Sequence, residues 1–396
     1  GTAVSNVAST GLITIPLMKR GGYDPRTAAA FEAVASTGGQ IMPPIMGAAA
    51  FLMAEILEIG YTEVVLAAII PALLYYVAVF VYADLEAAKK NIQPVPEELI
   101  PPLGKTLKEG WFFVVPFAVL IYALFVMNRA PETAALWSGA TVVIVNWIFG
   151  YKKTRITVPQ IITAVRDTGV RGGSEIVIIG AMAGLIIGIL GATGLGEALT
   201  QALVTVGEGN LALLLGITAI ICIVLGMGMP TTAIYLLVSI IAAPPLIKLG
   251  INPLAAHMYV FYFGIVSLIT PPVAIAAFVA ANLAGSSPMA TAVTAVRLGW
   301  TALVVPVMFV LSPNLIMQGE PVDIIIAFVT AVAGVWVTTC GIQGYFVRPL
   351  NFLLRIGFMV GGILLLIPVE AFPNAIYTEL AGIALTLLLV GREMVA

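Results

Sequence analysis

The sequence predicts an all-α polytopic membrane protein built on inverted repeats, with two re-entrant hairpins and two broken transmembrane helices. Three observations carry that expectation. The 396 residues are 60% hydrophobic and only 10% charged, with a mean hydropathy of +1.08, which is membrane-protein composition. Apolar runs that would otherwise read as spanning helices are interrupted by glycine, proline, serine and threonine. These interruptions recur at an interval of 228 residues.

Composition also excludes several classes. The net charge of −2 is spread over loops between apolar runs, so no basic face points to nucleic acid. Cys222 and Cys340 lie far apart in apolar segments and His257 is the single histidine, which leaves no disulfide framework, Cys/His zinc site or HExxH protease motif. The chain opens at Gly1 with no initiator methionine, signal peptide or complete first helix, and is read as a fragment or a processed form.

A helix needs roughly 20 apolar residues to cross roughly 30 Å of hydrocarbon. On that measure 63–83, 111–127, 131–149, 174–192, 296–312, 323–340, 353–368 and 376–391 cross. Three stretches differ: 26–58 is broken at Ser36 to Gly39 and at Pro43-Pro44, 254–283 at Ser267 to Pro272, and 211–247 at Gly226 to Pro230. Proline removes a backbone donor and clashes with the preceding turn, so each helix is expected to unwind there.

Lysine and arginine in short loops set orientation. Loops 84–110, with Lys89, Lys90, Lys105 and Lys108, and 150–155, with Lys152, Lys153 and Arg155, read as cytoplasmic. Keeping Lys19, Arg20, Arg26, Arg297, Arg348, Arg355 and Arg392 on the same side requires 26–58 and 254–283 each to cross once. Loops bearing Glu197, Glu208, Glu320, Asp323, Glu370 and Glu379 then fall outside; Arg129 and Lys248 are the exceptions. Charge does not separate a hairpin from two spans for 211–247. Its arms, 211–225 and 232–247, would rise only about 24 Å at ~1.5 Å per residue, so a hairpin entering from outside is expected. The segment ending at Met18 is its expected partner from the cytoplasmic side.

A gapless shift of 228 aligns Pro16 with Pro244, Arg20 with Lys248, Asp24 with Asn252, Pro25 with Pro253, and Pro43-Pro44 with Pro271-Pro272. Five expected crossings separate residue 20 from 248, an odd number, so the copies should be inverted. The chain then divides into a first repeat at 1–90, scaffold helices with a cytoplasmic linker at 91–173, a second repeat at 174–312 and a C-terminal membrane extension at 313–396. The linker is proline-rich, with Pro94, Pro96, Pro101 and Pro102, and 157–171 reads as an interfacial amphipathic helix carrying Arg166, Asp167 and Arg171.

Unwound helices offer backbone carbonyls beside hydroxyls, a ligand set for an alkali cation that buries no fixed charge. The first copy offers Thr2, Ser5 and Asn6 opposite Ser36, Thr37, Gly38 and Gly39; the second offers Gly226, Thr231 and Thr232 opposite Ser267 and Thr270. Such residues also serve close packing between membrane helices, but two breaks in register favour a pair of sites. Solute is expected between the tips, at Asn6, Gly39, Met229, Pro230 and Thr231, where helix starts expose N–H groups to an anion. Glu32, one turn before Ser36, is read as snorkelling to the cytoplasmic surface, Glu175 as a partner of its helix start, and His257 as taking no part in proton coupling.

The runs Ser5 to Gly11, Ile15 to Arg20, Ala35 to Pro44 and Gly226 to Thr232 resemble the large membrane subunit of tripartite ATP-independent periplasmic (TRAP) transporters, and most of all the fused permeases paired with TAXI-type binding proteins. The resemblance covers about residues 1–312. It implies an elevator-type ion-transporter architecture importing an organic acid with Na+ or H+. It further implies a periplasmic TAXI-type binding protein, a small membrane subunit or its fused N-terminal equivalent, and residence in a bacterial or archaeal cytoplasmic (inner) membrane. By match, one cation site falls on Ser5, Asn6, Gly38 and Pro43 and the other on Gly226, Thr231 and Thr270. No enzymatic constellation or cofactor is expected. The competing readings are a binding-protein-independent divalent-anion carrier and, from another class, a channel or an intramembrane enzyme.

Overall fold

Backbone groups in so apolar a chain have no water to bond, so they pair within helices. A computed structural model describes residues 2–93, 100–150, 154–207 and 210–395, and among them no strand forms. Pro94, Pro96, Lys152, Lys153 and Glu208, and the side chains of Arg171 and Glu175, lie outside the described residues. In chain order the helices are α1 Ala3–Gly21, α2 Pro25–Gly38, α3 Ala48–Ile56, α4 Tyr61–Lys89, α5 Leu103–Gly110, α6 Val114–Ile121, α7 Pro131–Phe149, α8 Val158–Asp167, α9 Ser174–Thr193 and α10 Leu195–Gly207. There follow α11 Leu211–Gly226, α12 Thr231–Ile241, α13 Ala243–Lys248, α14 Pro253–Val266, α15 Ile275–Ala284, α16 Pro288–Leu298, α17 Thr301–Leu311, α18 Pro321–Gln343, α19 Phe352–Leu366 and α20 Ile376–Val395.

The chain divides by packing into two units. One takes Gly1–Ile59, Glu63–Gln93 and Ile187–Ala396, the other Gly60–Thr62 and Pro94–Ile186. In the smaller unit α6 packs on α7, Ser138 donates to the Pro116 carbonyl at 3.0 Å, and Arg129 lies 5.7 Å over the Trp137 ring. The amphipathic stretch after Thr157 forms α8, opened by a capping box with Gln160.

In the larger unit the helix bounds themselves repeat at 228 residues. Pro25–Gly38 matches Pro253–Val266 at both ends, α3 and α15 end together at Ile56 and Ala284, and the N-caps of α1 and α12, Thr2 and Pro230, stand at the same interval. Each broken helix is capped by the residue before its proline, Asp24 accepting from Thr27 N and Asn252 from Leu254 N and Ala255 N. Each break tightens through short-range bonds and is closed by a longer one, Gly47 N to Gln40 O at 2.9 Å and Ala276 N to Leu268 O at 3.0 Å. Both proline pairs are cis. The copies cross over: α15 packs on α1, and α3 packs on α12.

Among the described residues six helical stretches are long and apolar enough to cross a membrane: Tyr61–Lys89, Leu103–Val126, Pro131–Phe149, Thr231–Lys248, Pro288–Leu311 and Pro321–Gln343. A seventh would be the bent pair Gly180–Thr193 and Leu195–Gly207. Some expectations change. The stretch expected at 296–312 begins at Pro288 and is interrupted at Gly299-Trp300. Of the stretches expected to cross near the C-terminus, 353–368 is the 15-residue α19, short of a span by length, and α20 over 376–391 is not among the six. The second hairpin arm extends one residue further at each end than expected, from Thr231 to Lys248, giving 18 residues, or ~27 Å at about 1.5 Å per residue. Its packing against α11 across the turn at 227–230, and against α14, gives it the form of a hairpin arm. Lys248 at its end pairs with Glu197 at 2.6 Å.

The C-terminal segment is a three-helix bundle, α18 on α19 on α20, whose core of Val337, Cys340, Leu354, Phe358 and Leu389 is completed by Leu85 of α4. Gly334 and Gly362 allow α18 and α19 to touch, since a Cβ on Gly334 would lie 2.7 Å from the Gly362 carbonyl. The last carbonyls of α18 are taken by cations, Arg297 to Ile342 O at 3.0 Å, Arg355 to the same oxygen at 2.9 Å, and Lys89 to Gln343 O at 2.8 Å, as a helix C-terminus favours.

Candidate functional site

A cleft of about 520 Å³ opens where the start of α1 meets the break after α2. Its walls include Thr2, Ser5, Asn6 and Ser9 on one side and Ser36, Gly39, Gln40 and Pro43 on the other, with Tyr76 from α4. The local chemistry explains the geometry. Thr2 caps α1, its Oγ1 accepting from Ser5 N at 3.3 Å and donating to Ser5 Oγ at 2.9 Å. That leaves the first turn facing the break with its hydroxyl and amide groups outward. Opposite, α2 ends because Gln40 N bonds to Thr37 O and Ile41 N to Gly38 O, i to i+3 bonds that unwind the last turn.

The cleft thus gathers six residues singled out from the sequence: Thr2, Ser5, Asn6, Ser36, Gly39 and Pro43. Gly38 is not on its wall. It is buried against α4, where a Cβ would come within 2.4 Å of Tyr75 Cε1, and its carbonyl already accepts from Ile41 N. Gly38 therefore serves close approach. Tyr75 and Tyr76 fasten α4 to the end of α2, donating to Val34 O at 2.8 Å and to Ala35 O at 2.9 Å.

Glu32 corrects the sequence reading. It does not snorkel: it is 6% exposed and accepts from Thr10 Oγ1 at 2.5 Å, from Thr14 Oγ1, and from Ser36 Oγ at 3.1 Å. Two of these hydroxyls stand one turn apart on α1, and Gly11 between them lets the helices close up, with Glu32 Cγ 3.3 Å from where its Cβ would be. Helical spacing could have found this, because Thr10 and Thr14 share a face.

At the break of the second copy the helices pack closely. Gly226 abuts α14 so closely that a Cβ would lie 2.7 Å from both Ser267 Oγ and Gly264 O. Ser267 donates to Gly264 O at 2.6 Å and Thr270 to Val266 O at 2.8 Å, while Thr231 is buried with its Oγ1 unpartnered among the described residues. Thr232 is half-buried beside it. Gly226 and Ser267 thus share one contact, whereas Met229, Pro230 and Thr231 do not line the 520 Å³ cleft with Asn6 and Gly39. His257 is buried, with Nδ1 2.8 Å from the Tyr235 hydroxyl.

Gln40 is the residue that sequence reasoning passed over. It is 2% exposed, borders the cleft, and neither Oε1 nor Nε2 finds a partner among the described residues. The available signal was a carboxamide inside an apolar segment at a position where the second copy has Leu268.

Residues 1–319 match the family described as Tripartite ATP-independent periplasmic transporter, DctM component. The chain is 24% identical over 308 residues to the C4-dicarboxylate TRAP transporter large permease protein DctM of Vibrio cholerae, covering 73% of this chain and 67% of that protein. It is 23% identical over 313 residues to the sialic acid TRAP transporter large permease protein SiaM of the same species, covering 79% and 70%. Against the isethionate TRAP transporter permease protein DctMQ of Oleidesulfovibrio alaskensis it is 23% identical over 288 residues, covering 72% and 44%. The chain thus spans about two thirds of the first relative and under half of the last.

Proposed function

The chain belongs to the DctM family of TRAP transporters, an inner-membrane family, and from that premise we propose that it is the large membrane subunit of a secondary transporter importing a carboxylate-bearing organic solute. The relatives are named for C4-dicarboxylate, sialic acid and isethionate, all small organic anions. The solute would be handed over by a periplasmic binding protein of TAXI type, with a small membrane subunit or its fused equivalent completing the complex.

The observation that carries this reading is the cleft between the α1 start and the α2 break. Its volume falls in the range of about 300 to 1,000 Å³ of small-molecule sites. Hydroxyl and amide oxygens of Ser5, Asn6 and Ser36 suit an alkali cation, and the N-terminus of α1 favours an anion beside it. Among the described lining residues the single titratable side chain is Tyr76, whose hydroxyl is committed to Ala35 O, which supports Na+ over H+ as the coupling ion. Thr231, whose buried hydroxyl has no partner among the described residues, is the corresponding ligand in the second copy. Import would proceed by sliding the hairpins and broken helices against a scaffold.

The test is uptake into proteoliposomes by the full-length protein, with and without its binding protein, under separate sodium and proton gradients. Uptake should need the binding protein and the sodium gradient. Uptake without the binding protein would favour an independent divalent-anion carrier, and uptake driven by the proton gradient alone would replace Na+ by H+.

A further inference from the structure

The Gln40 side chain has both amide atoms buried on the wall of the cleft and without a partner among the described residues. An unsatisfied buried polar group is costly, so a residue kept this way needs a reason. Local folding does not supply it. The backbone of Gln40 closes the break through Gly47 N at 2.9 Å, and in the second copy Leu268 does the same through Ala276 N at 3.0 Å, with an apolar side chain 3% exposed. A leucine therefore suffices for the turn. What Gln40 has beside its turn is an open cleft.

A carboxamide presents one acceptor and one paired donor, and each end selects its partner. Oε1 can face a cation or a donor but not a carboxylate; Nε2 can face a carboxylate but not a cation. The described residues lining the cleft include no lysine, arginine or histidine, so an anion there is held by neutral donors and by the cation itself. We propose that Gln40 bridges the two ligands of this cleft, Oε1 on the coupling cation and Nε2 on the solute carboxylate, so that each ligand orders the amide for the other. This rests on the transport reading above. It makes Gln40 a binding residue that couples cation to solute in the first copy alone.

The experiment follows the thermal unfolding of the full-length protein in detergent during titration with NaCl against choline chloride, with and without succinate, malate or acetate. In the wild type Na+ should stabilise, and at least one carboxylate should lower the Na+ midpoint. Gln40→Leu, the residue of the second copy, should fold, raise the Na+ midpoint by about tenfold or more and abolish the carboxylate effect. Gln40→Glu keeps an oxygen for the cation but loses the donor, so it should hold the Na+ midpoint within a few-fold while removing the carboxylate effect. Gln40→Leu titrating like the wild type overturns the proposal, as does Gln40→Glu retaining the carboxylate effect. A wild type that answers Na+ but none of the three carboxylates also counts against bridging. A wild type indifferent to Na+ overturns instead the cation-coupled reading beneath it.

Discussion

Thr10 Oγ1 donates to Glu32 Oε1 across 2.5 Å and so ties α1 to α2 through a carboxylate that is almost wholly buried. Thr14 donates to the other oxygen from one turn further along α1, and Ser36 reaches back to Oε1 from the cleft wall at 3.1 Å. The carboxylate is held by hydroxyls, which position Ser36 relative to the hairpin arm.

Glu32→Ala should therefore leave the buried Ser36 hydroxyl without its acceptor, turn the Thr10 and Thr14 hydroxyls back to the Asn6 and Thr10 carbonyls, and loosen α1 from α2. A loss of about 1–3 kcal/mol is expected from the lost bonds between the helices, and Glu32→Gln, which keeps size and one acceptor, should lose less. Thermal unfolding in detergent checks this ranking, and equal stability of the two variants would contradict it.

Glycine contacts predict a second contrast. Gly226→Ala places a methyl 2.7 Å from a backbone carbonyl that cannot yield, and Gly38→Ala places one 2.4 Å from a ring anchored by its own hydroxyl bond. Each should cost about 1–3 kcal/mol by overpacking. Gly216→Ala, with nothing within 4 Å, should leave stability unchanged or raise it slightly. Unfolding midpoints of the three variants decide the matter.

Thr231 separates packing from ligation. Thr231→Val removes a buried hydroxyl that has no partner among the described residues and keeps the shape, so stability without sodium should hold or improve. If the hydroxyl is a cation ligand, the same variant should raise the sodium requirement of uptake, while Thr231→Ser should restore it. An unchanged sodium dependence in Thr231→Val would remove this residue from the site.

At the loop joining α1 to α2, Asp24 caps α2 and bonds Lys90 at 2.5 Å. Burial pulls its carboxyl upward, but hydrogen bonds from Lys90 and Thr27 outweigh that and hold it at about 2, below the ordinary 3.8. A carboxylate depressed on folding contributes stability above its unfolded value and loses it as pH falls through the folded one. Stability should thus decline as pH drops from about 4 to about 2. Asp24→Asn, which still caps the helix, should flatten that part of the profile, by less than about 1 kcal/mol for so exposed a pair. Acid-unfolding curves of the two proteins make the comparison.

Much of the architecture was legible in the residues. The proline at each helix start and the breakers at each helix end placed α2 and α14 to within a residue, because a missing N–H and a free rotation act locally. The face shared by Thr2, Ser5 and Asn6 was legible for the same reason. Glu32 was misread because its fate depends on α1, a helix whose distance from it no local pattern encodes. Gly38 was singled out for its place beside the break; that it packs against Tyr75 depends on α4, more than one element away. The second arm was placed to within a residue at each end, since prolines at a helix start permit α13 to continue α12.

By itself the sequence determined the class of protein, the helices and their breaks, and the interval of the repeat, since these follow from hydropathy and from backbone chemistry within a few residues. Tertiary structure alone decided what each break packs against. Gly226 lets α11 close onto Ser267, and Ser5, Asn6, Ser36 and Gln40 border a cavity. The reason is that a cavity is a property of distances between elements, set by every side chain packed between them, and no single segment carries that information.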